Sequence, residues 1–571
     1  LSRATWFERL RGLPVQTGPA KMQLFREVPL WPPATTALRK GALWVVVWSL
    51  AVLQVSADLP VHCLRHQIVG EWDFTLGPLG SKRSSCGHRK PDDPNAQPPE
   101  DYVASLGTTS ARRVHLRDPS TSVAEDGSSG TWTMIYDEGF EVALGNQVFF
   151  AFSGFQFLDD EEGGRKNQSL CDRTQVGWYH DKSRDSWGCY VARKTTAARD
   201  PPAKLTEMIS SHVSTAKKTV GRIAIAAASE LLPEDLTIEP SQYKPWVPNS
   251  AGYDAPMHTE WQKSLADALN FLQLGWQAVP YSMFDGKTPR QLNRLAGVRR
   301  NGPAKQTRPK SPLSFLGVGS RVRRATAADS FDWREKDGKN WLTPVVTQGD
   351  CGSCYTISTV HMLTARHRIQ KGDPSVGSFS VSFPLYCSEY NQGCDGGYGF
   401  LQSKWSEDVG LVPEECAPFS TGGGKCEVTP DCDLGSKRYR AFNHHYVGGF
   451  YGGSDEEEIA RELVTKGPLV VSFEPKEDFM YYRSGVYRSA PSKIHQEWEQ
   501  VDHAVLLVGY GQDGDSPYWT MQNSWGTDWG EAGYFRMAKG SDESGCESIA
   551  VAAEPIEEDS NSVLDDFLAA L

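Results

Sequence analysis

The stretch "TQGDCGSCYTIST", Thr347 to Thr359, decides the fold. Cys351 and Cys354 stand three positions apart, where loop residues give way to "SCYTISTVHMLTARHRIQKG". In that segment Ile357, Val360, Leu363 and Ile369 fall near helical spacing, and Gly372 suits the stop. Cys354 therefore opens a helix. Unpaired first-turn amides favour an anion, so its thiol pKa should fall from about 8.5. From the residues alone three chemistries stay open: a thiolate nucleophile awaiting a histidine, a CxxC redox pair, or half of a zinc site. Zinc would want a second close Cys or His pair, which the sequence does not offer, and redox motifs of this kind sit early in a short βαβ domain.

Downstream, "HAVLLVGYG", "YWTMQNSWG" and "GYFRMAKG" read as strands of a buried sheet, and "GGSDEEEIARELVTKG" reads as a helix with a capping box of Ser454 and Glu457. A helix-first, sheet-second domain is expected from about Ala325 to Pro555. The acidic tail 556–571, "EEDSNSVLDDFLAAL" in its main part, is expected to be loosely attached. Upstream, 199–324 lacks cysteine and reads as a propeptide or linker. It holds one helix at "TEWQKSLADALNFLQLGW", with Trp261, Leu265, Leu269 and Leu272 on one face. It ends in a basic, Pro-rich stretch that is either cut at Arg323-Arg324 or is an ordinary solvated loop. From Asp58 to about Ala198, polar and apolar residues alternate between turn signals, as in "TWTMIYDEGFEVAL", the pattern of an antiparallel meander or small barrel. Asn167 opens the sequon "NQS" and is expected to be glycosylated.

The 571 residues imply at least two folded units, and a net charge of −12 with 39% hydrophobic residues argues against nucleic acid as a partner. "GALWVVVWSLAVL", Gly41 to Leu53, follows Arg39 and Lys40 and precedes small residues at Val55-Ser56-Ala57. This reads as a secretory signal within 1–57 that leaves no membrane segment once removed; a membrane anchor is the alternative, though the run is shorter than the roughly 20 residues that span a bilayer. Secretion makes the 12 cysteines candidates for disulfides. If one thiol stays free for chemistry, an odd number remains and at least one more is unpaired.

"QGDCGSCY", "GCDGGY", "DHAVLLVGYG" and "QNSWGTDWGEAGYFRM" together resemble the papain-type cysteine peptidases in order and spacing. The resemblance implies an α+β fold with a helical left and a β-barrel right subdomain. It implies Cys354 as nucleophile, His503 as general base and then acid, Asn523 as the residue that orients the imidazole, and Gln348 as an oxyanion donor with the Cys354 amide. Gly396 and Gly397 would line the substrate backbone, and Trp525 would shield the His503–Asn523 hydrogen bond. No metal is implied.

Tyr355 after the nucleophile, "HYVGGFYGG" from His445, "DLPVHCLRHQIVGEWDF" and "TMIYDEGFEVAL" narrow the likeness to the dipeptidyl-peptidase branch of that family, from Asp58 to about Pro555. In that branch the β region is a retained exclusion domain whose N-terminal Asp, here Asp58, meets the ammonium group of a free peptide N-terminus. The alternatives are an endopeptidase that loses its N-terminal region and a binding homologue with a dead site. The resemblance further implies pairs Cys63–Cys171, Cys86–Cys189, Cys351–Cys394, Cys387–Cys426 and Cys416–Cys432, leaving Cys354 and Cys546. It also implies a chloride held by Tyr446 and the Phe400 amide, an activating protease that cuts near Arg324 and again between Gly485 and Gln500, a homotetramer, and an endolysosomal or secretory-vesicle location. Two departures stand out: "GGYGF" for "GGFPY", and Pro384 in "FSVSFPLYC" where relatives continue a helix.

Overall fold

The computed structural model describes residues 61–88, 98–99, 101–159, 165–196, 259–288, 291–292, 295, 330–420, 424–490 and 503–571. The expected signal, Asp58 and Arg323-Arg324 lie outside them. Nine antiparallel strands make the N-terminal part: β1 (Gly70–Leu76), β2 (Ser110–Arg117), β3 (Thr121–Ala124), β4 (Ser129–Ile135), β5 (Gly139–Leu144), β6 (Gln147–Asp159), β7 (Arg165–Thr174), β8 (Gly177–Asp181) and β9 (Ser186–Lys194). β1 pairs with both β2 and β9, so the sheet closes into a barrel. Alternation explains which side chains turn in. In β1 Trp72, Phe74 and Leu76 are buried, and in β5 Phe140, Val142 and Leu144 are buried while Glu141 faces away from the barrel core. β6 breaks the rule, because Phe149 through Phe152 are all buried. Its outer face is covered too, with Phe150 set edge-on to Tyr390 of the second sheet's domain. Asn167 lies on β7, its backbone opposite Phe157.

The remaining chain supplies helices α1 (Thr259–Phe271), α2 (Cys354–Lys371), α3 (Ser382–Cys387), α4 (Gly399–Asp408), α5 (Glu456–Lys466) and α6 (Ser562–Ala569). It also supplies β10 (Trp276–Ala278), β11 (Phe331–Asp332), β12 (Arg438–Tyr446), β13 (Leu469–Phe473), β14 (Tyr482–Tyr487), β15 (His503–Asp513), β16 (Ser516–Gln522), β17 (Tyr534–Ala538) and β18 (Ala550–Glu558). The second sheet runs β10-β14-β17-β16-β15-β13-β18-β12, with β11 on β15. α2 is buried on every side from Cys354 to Arg368 and ends at Gly372 with φ 67°, a left-handed position that glycine fills without strain. α4 packs beside it, and Trp405 is wholly buried there; a void in its place would cost about 3–5 kcal/mol.

Four sequence expectations change. The cap of α5 is Asp455, whose carboxylate accepts the Glu458 amide, while Ser454 Oγ donates to the Val447 carbonyl and accepts from the Ala550 amide. The acidic tail is docked: α6 buries Leu564, sets Phe567 edge-on to Phe383 and Trp405, and is tied by Asn561 Nδ2 to the Val409 carbonyl. Its apolar face was masked in the sequence by neighbouring acids. Pro384 sits at the third position of α3, in the first turn, where a missing N–H costs nothing. Leu265 and Leu269 of α1 are buried as expected, but the helix stops at Phe271, before Leu272.

Five disulfides join Cys63 to Cys171, Cys86 to Cys189, Cys351 to Cys394, Cys387 to Cys426 and Cys416 to Cys432, and Cys354 and Cys546, both buried, take part in none. Among the described residues no helix is long and apolar enough to cross a membrane.

Candidate active site

Cys354 opens α2, and the disulfide at Cys351 and the Gly352 N–H bond to the Cys394 carbonyl pin the loop before it. His503 opens β15, which lies against α2. The backbone N–H of Ala504 reaches Cys354 Sγ at 3.5 Å, so thiol and imidazole are brought together from opposite walls. Asn523 follows the end of β16, one strand over, and its Oδ1 lies 2.8 Å from His503 Nε2. The Ser524 amide also donates to Oδ1, at 2.8 Å, which identifies that atom as the acceptor and makes Nε2 the protonated nitrogen of a neutral ring. Nδ1 is buried without a hydrogen bond. Its lone pair is thus the one available to a thiol proton.

Burial pushes the His503 ring down to about 4, opposed by its bond to Asn523. A thiolate beside it would supply the countercharge an imidazolium needs in so dry a place. Trp525 stacks on the ring with centroids 5.0 Å apart, and Phe473 meets it edge-on. These rings keep water from the His503–Asn523 bond. Gln348 is wholly buried: Ser524 Oγ donates to its Oε1 at 2.6 Å, and its Nε2 donates to the Cys351 carbonyl at 2.9 Å. The side chain is therefore fixed in the loop that precedes the nucleophile.

Gly396 has φ 122°, and a Cβ on Gly397 would lie 2.3 Å from Asn391 Oδ1. Only glycine fits there, and both glycines are buried. Asn391 also accepts the Tyr398 amide, a supporting role the sequence reading missed. The barrel reaches the same place. Tyr136 stacks on Tyr398 with centroids 3.9 Å apart and bonds Ser472 Oγ, and Tyr398 Oη donates to Glu138 at 2.8 Å. Tyr136 is close enough to the nucleophile that a charge on Cys354 adds to the burial raising its phenol. "TMIYDEGFEVAL" had carried the likeness without any role for Tyr136 or Glu138; their pairing with Tyr398 spans some 260 positions and leaves no local signal.

Phe400 lies in the first turn of α4 and stacks on Tyr446 at 4.4 Å. Tyr446 Oη is buried close to the Tyr136 backbone without a hydrogen bond of normal geometry. A buried hydroxyl without a full hydrogen bond, on a ring stacked against the first turn of α4, fits a small anion.

The segment before the second domain covers the other side. β10 adds antiparallel to β14, Tyr281 Oη donates to the Tyr482 carbonyl, Phe284 meets Trp525 edge-on, and Trp525 Nε1 donates to the Leu295 carbonyl. Lys287 pairs with Asp350 at 2.5 Å, four residues before the nucleophile. Cys354 and His503 are consequently both without exposed surface. Gly485 to Tyr487, the start of the window in which a second cut was expected, lie within β14; residues 491–500 are outside the described chain.

The sequence matches the papain family cysteine protease profile over residues 327–554 and the cathepsin C exclusion domain profile over residues 58–194. It is 30% identical over 513 residues to a protein named "Cathepsin C" from Schistosoma mansoni, covering 88% of this chain and 96% of that one. It is 32% identical over 313 residues to "Cathepsin B-like CP3" from Giardia intestinalis, covering 53% of this chain and 96% of that one. Among solved structures, digestive procathepsin L2 proteinase from Tenebrio molitor larval midgut aligns with a TM-score of 0.41 and 26% identity, over 52% of this chain and 89% of that one.

Proposed function

The chain belongs to the papain family as a cathepsin C-type cysteine dipeptidyl peptidase, and from that premise we propose how its residues divide the work. His503 Nδ1 takes the Cys354 proton, and the thiolate attacks the carbonyl carbon of the second residue from the substrate's N-terminus. The carbonyl π electrons move to oxygen, and that oxyanion is met by an amide N–H of Gln348 and the backbone N–H of Cys354. Collapse expels the amine of the third residue, which takes its proton from Nδ1. The thioester is then opened by water, with Nδ1 again accepting a proton, and the dipeptide leaves with a new carboxylate. Asn523 keeps the ring turned for both transfers.

The observation that carries the exopeptidase geometry is the contact of Tyr136 and Glu138 with Tyr398, next to Gly397, which sets the barrel across the non-primed end of the cleft. His62 is bonded to Asp137 at 2.7 Å, and the Cys63 amide to the Asp137 carbonyl, so the chain is anchored at this wall four residues after Asp58. Four residues reach about 14 Å. Two substrate residues span roughly 7 Å, so a carboxylate of Asp58 at the wall meets the ammonium of a true chain end. An acetylated end leaves that carboxylate unpaired, which costs several kcal/mol. Tyr446 Oη and the Phe400 amide would hold chloride, whose charge would close the floor of the second pocket.

We further assign residues 58–198 to the exclusion domain, 199–324 to a propeptide and 325–555 to the peptidase domain. Glycosylation at Asn167, activation by a second protease, a homotetramer and an endolysosomal or secretory-vesicle location complete the reading, which the five disulfides support as to an oxidising route. Matched peptides with free and acetylated N-termini test it. The parent chain, once activated, should release dipeptides only from the free series, and Asp58→Ala should reduce that preference about tenfold or more. An unchanged preference in Asp58→Ala would remove the proposed contact.

A further inference from the structure

A cluster of paired charges, most of them buried, joins the barrel to the peptidase domain and is not used by the mechanism. His444, on β12, lies between two carboxylates from different parts of the molecule: Nδ1 is 2.7 Å from Glu407 on α4, and Nε2 is 3.1 Å from Glu141 on β5 of the barrel. Lys404 lies 3.1 Å from both Glu141 and Asp408, and Lys182 of the barrel lies 2.9 Å from Glu407. The side chains of His444, Glu407 and Lys404 are each only 5% exposed.

Ionised carboxylates only accept hydrogen bonds, so a ring with a carboxylate on each nitrogen must carry both protons. Charge balance says the same. Glu141, Glu407 and Asp408 bring three negative charges, Lys404 and Lys182 bring two positive ones, and the imidazolium makes the third. A neutral ring would leave an uncompensated buried charge across the contact between barrel and peptidase domain.

We propose that His444, as an imidazolium shared by Glu141 of the barrel and Glu407 of the peptidase domain, is the pin that keeps the barrel seated across the cleft, and so is a specificity-determining residue that confines the enzyme to chain ends. Burial opposes the charge, and the pull of Glu141 and Glu407 with their hydrogen bonds overrides it, raising the ring from 6.5 to about 9. The same partners, His444 first and Lys404 next, hold Glu141 down at about 2 against burial. The surrounding groups do not replace the proton. Arg440 is engaged with Glu558 and His180 with Asp185, Tyr390 Oη donates to Asp408, and the phenols of Tyr190 and Tyr446 stay neutral, raised by burial. A raised histidine contributes fully below about 6.5, and its contribution is lost as pH rises through about 9. The pin is closed throughout the acidic range.

The inference rests on the barrel acting as the wall, and the test separates the two. Activated parent chain, His444→Gln and the double variant His444→Gln/Glu407→Gln are compared on one long peptide with an acetylated N-terminus, which has no titrating amine, with rates expressed per thiol titrated. At pH 6, His444→Gln should cut the blocked peptide internally about tenfold faster than the parent. The double variant, whose cluster is again neutral, should return towards the parent rate, which mere loss of packing would not do. In the parent chain this internal cleavage should rise through pH 9, and in the double variant it should not. Parent-like refusal of the blocked peptide by His444→Gln at pH 6, or a flat parent profile through pH 9, would overturn the pin. Where His444→Gln does not fold, the parent and double-variant pH profiles decide alone. Parent chain that cuts the blocked peptide freely at pH 6 would instead show that the wall itself is misread.

Discussion

Asn523 Oδ1 takes two hydrogen bonds, one from its neighbour's backbone and one from the imidazole, so its amide cannot turn without breaking both. Asn523→Ala should therefore free the ring while leaving substrate contacts alone. We expect kcat to fall roughly 10- to 100-fold with KM little changed, read from initial rates on a free-amine peptide; a loss confined to KM would place Asn523 in binding instead. At this scale the sequence spoke clearly, since Cys354, His503, Asn523 and Gln348 each stand in a short motif whose neighbours matter to the chemistry. The supporting atoms were not legible. Ser524 Oγ on Gln348 and Asn391 beside Gly397 act through one hydrogen bond each, and any small polar residue reads the same in a string of letters.

Elements were legible where burial is periodic, as in β5 and α1, and where a helix is closed by glycine, as in α2. They were misread where local chemistry offered two near-equal choices. Ser454 and Asp455 both suit a cap, and the neighbouring Val447 carbonyl and Ala550 amide claim the serine, leaving the aspartate for the helix. α6 shows the opposite failure, an acidic segment in which Leu564, Phe567 and Leu568 turn to the core. Leu564 packs against Gly410, where φ is 137° and a Cβ would come within 3.0 Å of the leucine. Leu564→Ala should cost about 2–4 kcal/mol and lower Tm by several degrees, with kcat per titrated thiol unchanged. Thermal melting beside active-site titration checks this, and an unshifted Tm would return the helix to the status of a loose tail.

Across the whole molecule the contacts that matter join residues hundreds of positions apart: His444 with Glu141, Lys182 with Glu407, Phe150 with Tyr390. Sequence spacing carries no trace of such pairs, which is why the barrel and the peptidase domain were each foreseeable but the seam between them was not. Cleavage between residues 197 and 258 should leave the barrel bound, because that seam is made of stacked rings and paired buried charges and not of the connecting chain. Co-elution of the two fragments on gel filtration at pH 6 checks this, and separate elution would contradict it. The closure of β1 onto β9 has a last consequence. A ladder that returns on itself lets a severed wall keep most of its backbone hydrogen bonds, with an open edge in the outer part of the β6–β7 hairpin, which pairs on one side alone. Loss of the connecting chain would therefore leave that ladder closed.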